Sequence, residues 1–352
     1  MAATGYHSAA RDYLLSECAV SIHLELRCPF PSNIHPLTAK ASERTLQWAR
    51  EFGLVQDAER QRQAHSERFT WLVGRFFPRA SESVLQLISD WTSWLFWHDD
   101  VCDETELGGT QHGLTGVFDR FFDILTGELG ANPSSSFERA LAEMVERFRR
   151  LAPDPVWMLR FATSVREYFD ACIWEAGNRE RGVVPSVGSF IPLRRCAGGM
   201  WIYLDFVELA NGRKLSLELR KHRDVQRLVQ ITNNVASWHN DLFSLSKEMR
   251  AGDVHNLVTA LQVEMDVDLE EARQVAIGYA NAEVEAFVRI EQKLKASGIA
   301  ALGDLDEYVS GLKDLMRGNL DWSAESGRYV DFGRPDAKSD IRELLGPRRV
   351  AV

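Results

Sequence analysis

Two short stretches of this 352-residue chain gather the residue types that hold hard cations. Residues 93–104 read SWLFWHDDVCDE, so Asp99, Asp100, Asp103 and Glu104 crowd the end of a segment whose preceding turns are almost wholly apolar. On a helix Asp99 stacks over Asp103, and Asp100 over both Asp103 and Glu104. Each like-charged pair is destabilising, and acids near a helix C-terminus also oppose the macrodipole. Carboxylates gathered against those penalties beside an apolar wall suit Mg²⁺, which takes few protein oxygens and keeps several waters. Taken alone, the cluster also fits a solvated acidic helix end.

The second stretch, residues 238–248, reads WHNDLFSLSKE. Asn240, Ser244 and Glu248 recur at i, i+4 and i+8 and share one helical stripe about 12 Å long. An amide oxygen, a hydroxyl and a carboxylate make an oxygen-only chelate, and Lys247 beside them is a mobile cation able to meet a phosphate. Alone, this is an ordinary polar helix face.

The elements that must position these groups read as helices. Helical patterns run over 37–53, from about Ser81 to Thr105, from the serines before Phe137 to Pro153, and over 155–182. A segment after Ser186 looks helical on both sides of a weak point at Gly198 and Gly199; further helices are predicted over 224–250, 269–297 and 305–322. No strand alternation is sustained, and no repeat is present. The fold class is all-α, a single helical bundle. Residues 1–27 read as a leader, 28–331 as the folded domain and 332–352 as a polar tail.

Composition narrows the partners. The chain has 41 basic and 51 acidic residues, a net charge of −10, so nucleic-acid or anionic-membrane binding driven by global charge is not expected. The five cysteines show no CxxC spacing and read as reduced thiols, with Cys102 a spacer inside the acidic stretch. No secretory signal or membrane-spanning run stands out, and the expected location is the cytoplasm, as a monomer or homodimer. No Gly-rich phosphate loop, GxSxG elbow or HExxH occurs; His98, His239 and His255 read as capping, surface or supporting residues.

The two metal-type stretches together, in this order, resemble the class I terpene synthases of microbial type, with their aspartate-rich and NSE motifs. The resemblance extends from about residue 25 to 331. Arg194, 46 residues before Asn240, matches the family's diphosphate-sensing arginine, and Gly198 its effector position. Arg328 and Tyr329, after Trp322, match the Arg-Tyr pair that closes over the diphosphate. Ala197 stands where many relatives carry Asp or Thr, Pro192 lies just ahead of the sensor, and Arg195 competes with Arg194 for that role.

The resemblance implies a helical bundle with a central cavity, in which Asp99, Asp103, Asn240, Ser244 and Glu248 hold three Mg²⁺ ions. Arg194, Lys247, Arg328 and Tyr329 would bind the diphosphate of a linear prenyl substrate. Ionisation leaves an allyl cation that water would quench, so a dry pocket with aromatic faces is expected. Phe96, Trp97, Trp201, Tyr203 and Trp322 are the candidates. Farnesyl diphosphate is the expected substrate and a sesquiterpene the product; a geranylgeranyl diphosphate cyclase is the alternative, and a non-catalytic helical scaffold the reading from another class.

Overall fold

The structure, a computed structural model, describes residues 25–55, 58–104, 110–128, 132–299, 304–330 and 349–351, without the side chains of 59, 101–104, 330 and 349–351. The helices are α1 (Thr38–Phe52), α2 (Ala58–Glu67), α3 (Phe69–Phe76), α4 (Glu82–Glu104), α5 (Gln111–Thr126), α6 (Ser136–Leu151), α7 (Pro155–Arg181), α8 (Val187–Ala197) and α9 (Met200–Asn211). They continue as α10 (Leu217–Lys221), α11 (Arg223–Ala251), α12 (Leu257–Met265), α13 (Leu269–Ala296), α14 (Leu305–Glu325) and α15 (Gly327–Val330).

Local chemistry sets the boundaries. Ser135 and Glu138 form a capping box at the start of α6, and Asp154 caps α7 ahead of Pro155 at its first position. Pro192 sits inside α8, where it removes a backbone hydrogen bond. The sequence pattern misses α2, α3, α5, α10, α12 and α15. α2 is polar all round and shows no apolar stripe, and α12 is too short and too evenly apolar for one to stand out.

α11 lies between α13 and α14, and α14 also packs on α3. α4 is buried on almost every face, with Trp91 and Trp94 fully enclosed, as befits a central helix. Trp91, Phe148, Phe161 and Phe206 make one aromatic cluster, Trp91 to Phe161 at 5.0 Å and Phe148 stacked on Phe206 at 5.5 Å. Truncating one such ring to alanine costs about 3–5 kcal/mol. Among the described residues no helix is long and apolar enough to cross a membrane.

Two details depart from the sequence reading. Val183–Pro185 (β1) pairs in parallel with Arg349–Ala351 (β2), which gives a minimal sheet where no strand was expected. Three residues are too few to show alternation. The pair also gives the last residues of the expected tail a partner; the rest of that tail, like residues 1–24 of the leader, lies outside the described residues. At the leader's end Leu26 is buried and the Arg27 amide donates to Asn281 Oδ1 of α13 at 2.7 Å.

Candidate active site

α4 and α11 bring their polar ends to one cavity of about 380 Å³. α4 contributes Leu95, Phe96 and Asp99; α11 contributes Asn240, Ser244, Lys247 and Glu248. The apolar wall is Leu72 and Phe76 of α3, Phe118 of α5, Met200 and Tyr203 of α9, and Trp322 of α14. Arg194, Gly198, Arg328 and Tyr329 complete the polar end. The side chains of Cys102, Asp103 and Glu104 lie outside the described residues.

The NSE stripe is held by its neighbours. Asn240 Oδ1 accepts from Arg194 Nη2 at 2.8 Å, and Asn240 Nδ2 donates to the Tyr329 hydroxyl at 2.7 Å, which fixes the orientation of the amide. Ser244 Oγ donates to the Asn240 carbonyl at 2.8 Å. Glu248 Oε2 accepts from Asn256 Nδ2 at 2.7 Å, and Asn256 Oδ1 in turn caps α12 by accepting from Val258 N at 2.8 Å. Burial and the neighbouring Asp241 push the Glu248 carboxyl up to about 7. Burial also raises the Asp99 carboxyl, against the opposing charge of Arg328.

The cations are equally ordered. Arg194 pairs with the fully buried Asp241 at 2.6 Å. Burial acts against its charge, but Asp241, Glu248 and Glu175 outweigh it and hold the guanidinium more firmly protonated than usual. Arg195 instead donates to Asn234 Oδ1 at 2.7 Å and does not line the cavity, so of the adjacent pair it is Arg194 that faces the site. Arg328 bridges Glu67 and Asp100, each at 3.0 Å. Tyr329 stays neutral, its phenol pushed up to about 12 by burial.

The helix break works by close approach. Gly199 has φ +65°, the left-handed region that a side chain disfavours, and a Cβ on Gly198 would lie 2.7 Å from Ser237 Oγ, one turn before Asn240.

The aromatic candidates divide. Phe96 lines the cavity, stacks on Phe69 at 4.3 Å and has the Arg328 guanidinium 5.0 Å from its ring centre. Tyr203 lines it too and donates to Thr92 Oγ1 at 3.1 Å. The Trp322 indole N–H is tied to the Glu67 and Arg68 carbonyls at 3.0 Å, which leaves its ring against Phe69, Phe96 and Tyr329. Trp201 is different: it faces a separate surface groove with Leu215, Gln230 and Tyr308. Met200 and Tyr203, three apart, share the inner face of α9, and Trp201 is turned about 100° from Met200. Trp97 is buried in the core and does not line the cavity.

Sequence reasoning missed several residues. Tyr168, Cys172, Glu175 and Arg179 line the cavity as one stripe of α7. Their i, i+4, i+7, i+11 spacing was readable, but nothing local told that stripe from a solvated one. Burial raises the Glu175 carboxyl. Glu67, Asp241 and Asn256 act through tertiary contacts. His98, expected at a surface or cap, is buried against Trp94, Phe118 and Phe121, and burial pulls it down to about 4. His255 pairs with Asp253 at 2.7 Å in the turn after α11.

The donor set fits a hard divalent cation. Asp99, Asn240, Ser244 and Glu248 present only oxygen, and the buried acids among them are raised because desolvation exceeds the positive charge around them. Among the described residues no trio of His, Cys, Asp and Glu gathers as a metal site; the chelate is of amide, hydroxyl and carboxylate type.

A helical bundle around one cavity, oxygen ligands and cations at one end and aromatic rings at the other, is the architecture of a terpene cyclase. Wild-type cucumene synthase matches it with a TM-score of 0.73 at 25% identity, over 84% of this chain and 99% of that one. The chain belongs to the terpene synthase family, whose profile described as "Terpene synthase family 2, C-terminal metal binding" matches residues 90–286. It is 37% identical to (+)-T-muurolol synthase ((2E,6E)-farnesyl diphosphate cyclizing) of Roseiflexus castenholzii, over 86% of this chain and 92% of the relative. It is 32% identical to germacrene A synthase of Nostoc punctiforme, over 88% and 95%.

Proposed function

We propose that this terpene cyclase ionises farnesyl diphosphate and closes the resulting allyl cation to a sesquiterpene, releasing diphosphate. The observation that carries the reading is the division of a single cavity into a polar end, with Asp99 and the Asn240–Ser244–Glu248 stripe, and an aromatic interior. The farnesyl chain length is supported by the activity named for the Roseiflexus relative.

Mg²⁺, three ions in the expected arrangement, would be held by Asp99, Asp103, Asn240, Ser244 and Glu248 and would supply positive charge to the leaving group. The chain's own residues do the rest. Arg194, Lys247, Arg328 and Tyr329 meet the diphosphate oxygens as the carbon–oxygen bond breaks and its electron pair leaves with the diphosphate. The cations are local, which is how a protein of net charge −10 accepts a polyanion. Phe76, Phe96, Tyr203 and Trp322 present ring faces and keep water from the migrating cation.

The test is incubation with Mg²⁺ and, separately, geranyl, farnesyl and geranylgeranyl diphosphates, measuring diphosphate release and hydrocarbon products by gas chromatography. Farnesyl diphosphate should give the fastest release and a cyclic C15 product. Faster cyclisation of geranylgeranyl diphosphate would make the chain a diterpene cyclase; no release from any substrate would leave a helical scaffold.

A further inference from the structure

The charge of Arg328 is compensated within the chain. Its guanidinium is buried between two carboxylates, Nη1 to Glu67 Oε1 and Nη2 to Asp100 Oδ1, both at 3.0 Å. Asp100 belongs to the acidic stretch of α4. Glu67 belongs to no motif and comes from α2, 261 residues from Arg328.

The backbone at Glu67 is built to reach this spot. Its carbonyl accepts from Trp322 Nε1 at 3.0 Å and from Ser326 Oγ at 2.8 Å, so the main chain is pinned to the end of α14. The next residue, Arg68, has φ +54°, a left-handed conformation that a non-glycine residue holds only when its surroundings enforce it. The strained turn separates α2 from α3 and leaves the Glu67 side chain inside.

The carboxylate is nevertheless only half used. Among the described residues Oε2 is buried with no hydrogen-bond partner, while Oε1 accepts from Arg328 in a single contact and from Gln63 Nε2 at 3.3 Å. Charged oxygens left unsatisfied in a dry site are held poorly against a better competitor. A diphosphate carries more negative charge than a carboxylate and offers oxygens to both edges of a guanidinium.

We propose that Glu67 is the resting counter-ion of Arg328, displaced from it when a diphosphate binds. It is a positioning residue: with Asp100 it holds the guanidinium in place at the polar end of the cavity, and its competition weakens the hold on the diphosphate that the reaction must release. The inference rests on the reading of Arg328 as a diphosphate ligand. Only the Glu67 side chain needs to move, since its backbone stays anchored to Trp322 and Ser326.

The experiment is calorimetric titration of the full chain with inorganic diphosphate in the presence of Mg²⁺. Wild type, Glu67→Gln, Arg328→Lys and the double variant are compared. Glu67→Gln should bind diphosphate about fivefold or more tightly than wild type, a gain that a merely structural residue would not produce. In the Arg328→Lys background the same substitution should gain clearly less, which separates an effect through the guanidinium from removal of a nearby negative charge. Equal or weaker binding by Glu67→Gln, or an equal gain in both backgrounds, would overturn the proposal. Glu67→Asp keeps the charge but draws it back by one methylene, and should tighten binding by about twofold. If Glu67→Gln does not fold, unchanged or weaker binding by Glu67→Asp overturns the proposal instead. Failure of wild type itself to bind diphosphate with Mg²⁺ would reject the diphosphate reading and with it this one; a wild type that binds while Glu67→Gln does not tighten rejects the counter-ion alone.

Discussion

The Asn240 amide donates to the Tyr329 phenol at 2.7 Å, joining the ligand stripe of α11 to the last described helix of the bundle. Because the other side of the same amide accepts from Arg194, one side chain connects the sensor arginine, the chelate and the C-terminal closure.

Tyr329→Phe tests this link. It leaves a buried amide donor unpaired, at a cost of about 1–3 kcal/mol, and frees the amide to turn. The expected outcome is a folded protein whose Mg²⁺ requirement rises several-fold. A magnesium titration that matches wild type would separate the closure from the chelate.

Glu248 and Asn256 should fail differently. Glu248→Gln keeps the shape and removes the charge, so the Mg²⁺ requirement should rise sharply while the melting temperature changes little. Asn256→Ala removes both the hydrogen bond to Glu248 and the cap of α12. Its stability should fall by about 0.5–2 kcal/mol, together with a raised Mg²⁺ requirement, as measured by thermal melts with and without the ion.

Metal affinity should depend on pH near neutrality. The Glu248 carboxyl, raised to about 7 by burial and Asp241, is largely protonated below that pH and must lose its proton to act as a ligand. Apparent Mg²⁺ affinity should therefore fall as pH drops from about 8 to 6, and this dependence should largely disappear in Glu248→Gln. A profile identical in both proteins would place the titrating group elsewhere.

Asp99 lines the cavity, and Asp99→Asn should lose far more activity than Glu104→Gln. Equal losses, read from diphosphate release at saturating Mg²⁺, would reject the assignment of Asp99 as the leading acidic ligand.

Arg194 and Phe96 act at different stages. Arg194→Ala would strand the buried Asp241, so Arg194→Lys is the cleaner probe. Losing one charge-assisted hydrogen bond to diphosphate should slow ionisation by about ten- to a hundredfold, with the product mixture unchanged. Phe96→Leu should retain diphosphate release and widen the product spectrum, because the wall loses a ring face. Scrambled products at normal rate from Arg194→Lys, with release merely slowed in Phe96→Leu, would reverse the two roles.

Some of this molecule was determined by the sequence alone. The Asn240, Ser244 and Glu248 stripe, the acid cluster at the end of α4 and the break at Gly198 and Gly199 depend on helical spacing and backbone sterics, which are local properties. Apolar periodicity placed most of the long helices for the same reason, α5 excepted. Other features belong to tertiary structure. Arg194 and Arg195 are chemically alike neighbours, and only the packing of α8 turns one to the cavity and the other to Asn234. Trp201 and Tyr203 are two residues apart on α9, and only the placement of α9 puts Tyr203 inside and Trp201 in a different groove. Glu67 reads as one more acid on a polar helix; burial beside Arg328 makes it an ion-pair partner, because the strength of a charge is set by what lies around it rather than by its place along the chain.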